Sequence, residues 1–390
     1  MANEVFFFDS SDVGAPTLNN VAGSMVSVLD ACLVNGFNSK SVTSIVVASN
    51  VATVTCTSHG FVAVPGKYVE IAGATPSGLN GKKVVASVPN ANTFTFATSG
   101  ISDQTATGTI TAKRAGIGWT KAFTGTNKAV YKSSDVASTG LYLRLDDTNS
   151  SPATATDARA VMYESMTDVD TGTNPCPTAT QLASGQFWNR GANTSTAKLW
   201  VLVGDGRFFY FGTQASTNTQ VYLQCFGDIV SYRAADAYGC ILAGGASAYG
   251  GVSTASCPPA INQSPGSMQN TYGIVLSRIA AQTGTCVRAQ LGSMGGSGVV
   301  FGGSGFVYPS PVDNGIVIIR PLYLMEENSA FGHPIRGEMP GLLNPLANQA
   351  FAHLDQITGI TGFTGTALVT AINSGGASGR IMFDISNAWR

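Results

Sequence analysis

The sequence predicts a mostly β protein with one helix near its N-terminus. Three observations predict it. Short runs rich in Val, Ile, Thr and Phe recur between clusters of Gly, Asn and Ser, the pattern of strands separated by turns. Only Leu18 to Leu33 places apolar residues (Leu18, Val21, Met25, Leu29, Leu33) at the three- and four-residue spacing of a helix buried on one face. Lys198 to Phe211 reads as a strand pair folded at Gly204-Asp205-Gly206.

In chain order, the helix predicted over 18–33 follows a short Phe6-Phe7-Phe8 run and meets a stop signal at Asn35-Gly36-Phe37. Six short strands are then expected, at 45–47, 52–56, 68–71, 84–88, 93–96 and 108–111, enough for a compact barrel or sandwich. Asn80-Gly81 is the type of dipeptide that supplies positive φ in a tight hairpin. Further strands are expected at 118–123, 126–131, 141–148, 221–226, 273–278 and 285–290. Gly pairs break up residues 242–305, which read as loops carried on a sheet. Ile316 to Leu324 reads as a buried strand, and 326–350, with Pro334, Pro340 and Pro345, as an extended anchored arm. A last strand, Ile381 to Ile385, precedes Trp389-Arg390, whose indole has apolar area worth burying.

Composition narrows the function classes. Charged residues make up only 11% of the 390, against about 25% in an ordinary soluble domain, while glycine reaches 46 residues. Few charges are left to line a free surface, which suits a subunit whose surface is covered by neighbours. A net charge of −1 offers no general attraction to nucleic acid or an anionic membrane. No run reaches the roughly 18–20 apolar residues of a membrane helix, and Met1-Ala2-Asn3-Glu4 lacks the basic region of a secretory signal. The expectation is a chain made in the host cytoplasm, with no nucleic-acid partner and no membrane insertion.

Chemistry-bearing motifs are sparse. The seven cysteines, at 32, 56, 176, 225, 240, 257 and 286, include no CxxC pair and no His at ligand spacing, so neither a zinc site nor a full disulfide framework is expected, and they read first as buried free thiols. Cys176 and Cys257 sit beside prolines in turn-like contexts and are the candidates for a disulfide between subunits after lysis. No phosphate-binding loop occurs, no GxSxG elbow occurs, and no cofactor is expected. The histidines are His59, His333 and His353. The carboxylate candidates for glycoside hydrolysis are Asp146-Asp147, Asp168 with Asp170, and Glu326-Glu327, each read first as a turn cap or solvated edge. Arg144 and Asp146 share a strand face and are expected to pair. The expectation is a non-enzyme.

Four parts of the chain carry a resemblance. His59-Gly60-Phe61, Lys67 to Gly73, Leu79-Asn80-Gly81 and Asn92 to Phe96 resemble the first-catalytic-cysteine-half domain of ubiquitin-activating enzymes, a pattern that recurs as an inserted module in bacteriophage virion proteins. It covers about 41–112 and implies no ubiquitin chemistry, since no nucleotide-binding signature accompanies it. The helix followed by Gly118-Trp119, the Gly-Asp-Gly strand pair, and Arg336-Gly337-x-x-Pro340-Gly341 with the closing Trp389-Arg390 resemble structural proteins of tailed phages. Together they imply a β-sandwich or barrel parent domain of residues 1–40 and 113–390, with an inserted small β-barrel-like module at 41–112 whose ends should lie close together.

The resemblance implies a structural component of a tailed-phage virion, in the tail tip or baseplate, that self-associates as a trimer or hexamer and contacts other virion proteins. Head decoration, a collar or fibre-anchoring role is the alternative, and host-surface glycan binding or degradation is another. The residues singled out for interaction are Tyr68, Phe94 and Phe96, which could stack on sugar rings, and Trp389 and Arg390.

Overall fold

The computed structural model describes residues 4–149, 157–190, 195–214, 220–245, 273–292, 315–316, 318–327, 334–345, 351–374 and 377–390. Strands dominate it, with one short helix near the N-terminus among the described residues. Its centre is an antiparallel sheet in which Phe6–Asp9 pairs with Trp200–Gly204, that strand with Phe208–Gln214, and that in turn with Val221–Asp228. These strands are buried on both faces. Side chains alternate across a sheet, so Trp200, Leu202, Phe209, Phe211 and Phe226 enter one core, while Val201, Val203, Phe208, Tyr210 and Cys225 enter a second.

A five-stranded antiparallel meander covers the first face, running Thr120–Gly125, Lys128–Lys132, Tyr142–Asp146, Ala158–Tyr163 and Gln186–Trp188. The helix fills the space between, contributing Met25, Val28 and Leu29 to the same core. The second face is covered by the C-terminal half of the chain. The sheet continues from Val221–Asp228 through Cys240–Ala243, Ile274–Leu276, Val287–Gly292 and Tyr323–Glu326, and branches to the long hairpin Ala367–Ser374 and Ala377–Asp384.

Residues 41–112 form two further sheets around a core of their own, containing Ile45, Val54, Ile71, Leu79, Phe94 and Phe96. One sheet has the order Phe37–Ser41, Thr111–Arg114, Tyr68–Ala72, Gly81–Val84; the other runs Ser87–Asn90, Thr93–Ala97, Val51–Thr55, Ser44–Ala48, Gln104–Thr105. The entering and leaving strands are paired neighbours, Ser41 opposite Thr111 and Lys40 opposite Ala112.

Several sequence expectations are corrected. The helix spans Ser24–Leu29 and continues in wider turns over Asp30–Asn35, whereas Leu18 lies in a β-bridge with Lys198. Its start is set from a distance: Asp147 Oδ2 accepts from the Met25 and Val26 N–H groups at 2.9 and 3.4 Å. The exit at 35–37 holds, because a Cβ on Gly36 (φ +69°) would meet the Arg114 carbonyl at 2.2 Å. Asn80-Gly81 is not a tight hairpin. Strand Tyr68–Ala72 ends nine residues before Gly81, and the Asn80 amide instead bonds both the N–H and the C=O of Ala74, at 2.8 Å each, closing a loop. The tight turn of the module is Ser49-Asn50, with φ of +50° and +63°, between Ser44–Ala48 and Val51–Thr55.

The expected strand 84–88 breaks at Val85-Ala86, where the chain passes from one sheet of the module to the other. The strand expected at 316–324 is interrupted at Arg320-Pro321 into Ile318–Ile319 and Tyr323–Glu326. The described part of 326–350 is sheet rather than arm, Ile335–Glu338 pairing with Tyr323–Glu326 and Leu342–Pro345 with Ala377–Asp384. Most of the glycine-rich 242–305 stretch lies outside the described residues; its two expected strands are seen at Ile274–Leu276 and Val287–Gly292.

Asp147 also meets the fully buried Arg190 guanidinium. Burial outweighs Arg190 and the two helix N–H groups and pushes its carboxyl up to about 6 from an ordinary 3.8. The folded chain therefore holds this proton more tightly than the unfolded chain, a stabilisation fully present below the unfolded value and lost as pH rises through about 6. In urea denaturation from pH 4.5 to 7.5, the wild type should lose on the order of 2 kcal/mol relative to Asp147→Asn as pH rises. A pH-independent difference between the two would show that Asp147 stays ionised throughout.

Candidate functional site

Tyr68, Phe94 and Phe96 cannot form an aromatic platform. Phe94 and Phe96 are 0% and 1% exposed, because residues of one parity along Thr93–Ala97 face the module's core. His59 packs there too, its ring 5.1 Å from Phe94 and its Nδ1 accepting the Phe61 N–H at 2.9 Å. Tyr68 faces the parent fold, its ring 4.6 Å from that of Phe6. The outward residues of the strand are Thr93 and Thr95 instead.

Trp389 and Arg390 are also held inward. The indole donates to the Asp384 carbonyl at 2.8 Å and lies edge-on to Tyr210, above Gly341, where a Cβ would meet it at 2.0 Å. Gly341 of the Pro-Gly step thus makes room for the tryptophan. Arg390 reaches the Asp205 carboxylate at 3.1 Å and the Asp228 carbonyl at 2.9 Å. Cys176 is 1% exposed within the first core, with its thiol 3.2 Å from the Leu276 carbonyl, so it cannot meet a second subunit. Cys257 lies outside the described residues.

The carboxylates considered for hydrolysis all have structural partners. Arg144 pairs with Asp146 at 3.1 Å and also with Asp170. Asp168 caps a turn through the Asp170 and Thr171 N–H groups. Glu326 meets Arg336, and Glu327 meets Arg288. Arg336 also binds Asp236 at 2.6 Å, and the side chains of this Arg336–Asp236–Glu326 group are only 1–3% exposed. Burial pushes Asp236 up, but Arg336 and Ser231 outweigh it and hold the carboxyl below its ordinary range. Burial draws the His353 imidazole toward its neutral form; His333 lies outside the described residues. Among the described residues no group of three His, Cys, Asp or Glu side chains could hold a metal ion.

Two features remain that can act on a partner. The first is the outer face of the five-stranded sheet of the module. Its strands contain no Lys, Arg, Asp or Glu, and one cross-strand row reads Thr105, Val46, Thr53, Thr95, Ser87. Val46 and Val51 are 43% and 41% exposed on this face. Such a face binds by shape, by hydroxyl hydrogen bonds and by small apolar contacts rather than by charge. This face was not among the sequence expectations, and its signal in the sequence is two charge-free runs, 41–66 and 84–102.

The second feature fixes the orientation of that face. At the joint between module and parent, Lys67 Nζ lies 2.6 Å from both Asp9 and Asp12, and 4.5 Å from the centre of the Phe7 ring. Arg114, 4% exposed, donates to the Tyr68 carbonyl at 2.8 Å and to that of Phe7, and covers the Phe8 ring. Burial raises Asp9, but Lys67 and Ser11 outweigh it and hold its carboxyl below the usual range.

If Phe94 belongs to the core, Phe94→Ala should lower stability in denaturant by roughly 3–5 kcal/mol. A change within about 0.5 kcal/mol, the usual effect at a surface position, would return it to the list of contact residues.

No protein-family model matches the chain, and no curated protein matches it.

Proposed function

We propose that the chain is a structural subunit of a tailed-phage virion, placed in the tail tip or baseplate and acting by self-association and contacts with neighbouring virion proteins. The observation that carries this reading is the exposed, charge-free face of a module whose other sheet is fastened to the parent fold. A flat, uncharged face held in fixed orientation suits permanent burial against a neighbour. The low charge of the whole chain and the phage-like stretches noted in its sequence point the same way. A glycan-binding or glycan-degrading role draws no support from the residues considered for it, since the aromatic side chains face inward and the described carboxylates are engaged in ion pairs and turns.

Mass spectrometry of separated heads and tails from disrupted particles tests the proposal. Recovery with tails at a few copies per particle is expected; recovery with heads in high copy would reassign the chain to decoration, and absence from both would end the virion reading. Val46→Glu, which puts a charge in the middle of the uncharged face, should leave the fold intact and reduce incorporation on the order of tenfold or more, the effect of about 1.4 kcal/mol at the contact. Unchanged incorporation would remove that face from the interface.

A further inference from the structure

We propose that Lys67, Asp9 and Asp12 form a self-acting isopeptide site, in which the Lys67 amine condenses with the Asp9 carboxyl while Asp12 carries the proton, joining module and parent fold covalently. The inference rests on the geometry of this cluster and is independent of any role in a virion.

The parts needed for amide formation are all within reach. Lys67 Nζ is 2.6 Å from Asp9 Oδ2 and 2.6 Å from Asp12 Oδ1, so the nucleophile touches both the acyl group and the proton carrier. Their side chains are 9%, 3% and 9% exposed, the Phe7 ring closes one side, and Asp12, Lys67 and Arg114 line a small cavity on another. Each group is held by an ordered element. Asp9 ends a strand and stands opposite Val201, and Lys67 follows a turn closed by its own N–H to the Val64 carbonyl at 3.0 Å. Such placement raises the effective concentration of the reacting groups by many orders of magnitude over free amine and acid, up to about 10⁵–10⁸ M.

The two aspartates are not equivalent. The Arg114 guanidinium lies 3.8 Å from Asp12 Oδ2, so Asp12 has a second cation beside Lys67. Asp9 has no such arginine contact, and its Oδ1 instead accepts the Ser11 N–H at 2.8 Å and the Ser11 hydroxyl. Two donors on Oδ1, with Lys67 on the Oδ2 side, are what an acyl carbon under attack requires, because negative charge develops on Oδ1.

The steps balance without any further reagent. The cluster holds two cations and two anions. Transfer of one proton from the Lys67 ammonium to Asp9 Oδ2 leaves a neutral amine and a neutral acid, with Arg114 and Asp12 as the remaining pair. The transfer runs against the Lys67 and Ser11 contacts that favour the Asp9 carboxylate, and is helped by removing two charges from a buried place. The Nζ lone pair then attacks Asp9 Cγ, forming the C–N bond and moving the C=O electrons onto Oδ1. Asp12 takes a proton from Nζ and delivers it to the Oδ2 hydroxyl, which leaves as water while the Oδ1 carbonyl re-forms. The products are one amide and one water, and the cavity lined by Asp12 and Lys67 gives that water a way out.

Intact-mass and peptide analysis of the full-length purified chain decides the matter. The wild type should weigh one water less than its sequence, and trypsin should release residues 1–40 joined to 41–82 with no cleavage after Lys67. Asp9→Asn should lose one ammonia instead, because the same acyl carbon then carries an amide. Lys67→Arg and Asp12→Asn should both retain full sequence mass, the second although both bonding partners remain. A wild-type chain of full mass cleaved normally after Lys67 would overturn the proposal. So would a water loss that persists in Lys67→Arg, or a link from Lys67 to Asp12 rather than Asp9.

Discussion

The structure depends on a sheet that has no solvent face. Strands Trp200–Gly204, Phe208–Gln214 and Val221–Asp228 separate two cores, so every position along them must be apolar or internally satisfied, whichever way it points. Polar residues on these strands accordingly bond within the fold. Gln224 donates to the Thr213 hydroxyl at 3.0 Å. At the turn, Asp205 accepts the Arg207 and Phe208 N–H groups at 2.8 and 2.7 Å. A layer so constructed cannot stand alone. It needs the meander and helix on one side and the C-terminal hairpin on the other, and the order of packing follows from that need.

Given so few charges, their placement is informative. Many tie segments far apart in sequence: Asp147 to Arg190 and the helix start, Arg336 to Asp236, Arg278 to Glu164, Arg390 to Asp205, Lys67 to Asp9. Buried ion pairs are poor sources of net stability, since desolvation offsets much of their attraction. What they add is discrimination: a layer docked one register away leaves a charge unpaired in the interior, at several kcal/mol. The apolar cores set whether the layers associate, and the ion pairs set where.

This division also explains what could be read from the sequence. The double-faced strands were legible because Trp200 to Phe211 is apolar at both parities, and the module's strands because valine and threonine alternate there. The helix was legible in its interior and not at its start, since the group that caps it is Asp147, more than a hundred residues away. Asn80-Gly81 carried a true turn signal, but the Asn80 side chain took up the backbone of Ala74, and local propensity yielded to that closure. Phe94 and Phe96 share a face by their spacing, which alone does not say which face; their alternation with Thr93 and Thr95 was the clue that the large rings are the core side. The prolines beside Cys176 signal a turn but not its depth, which comes with a contact to Leu276, a hundred residues on.

The joint at Lys67 and Arg114 bears on how the outer face works. Two adjacent strands, Phe37–Ser41 and Thr111–Arg114, are the covalent connection of the module, and on their own they would act as a hinge about which the uncharged face could turn. Arg114 removes that freedom by bonding the carbonyls of Phe7 on the parent side and Tyr68 on the module side at once. Tyr68 against Phe6 and Lys82 against the same ring add apolar and cation–π contact along the seam. A face carried on a hinge must be ordered each time it binds, whereas one held in place has met that entropy during folding. With no charge to steer a partner, the Val46–Thr53–Thr95 row offers hydroxyls, small apolar contacts and shape, and each of these discriminates only when the face is held in one position.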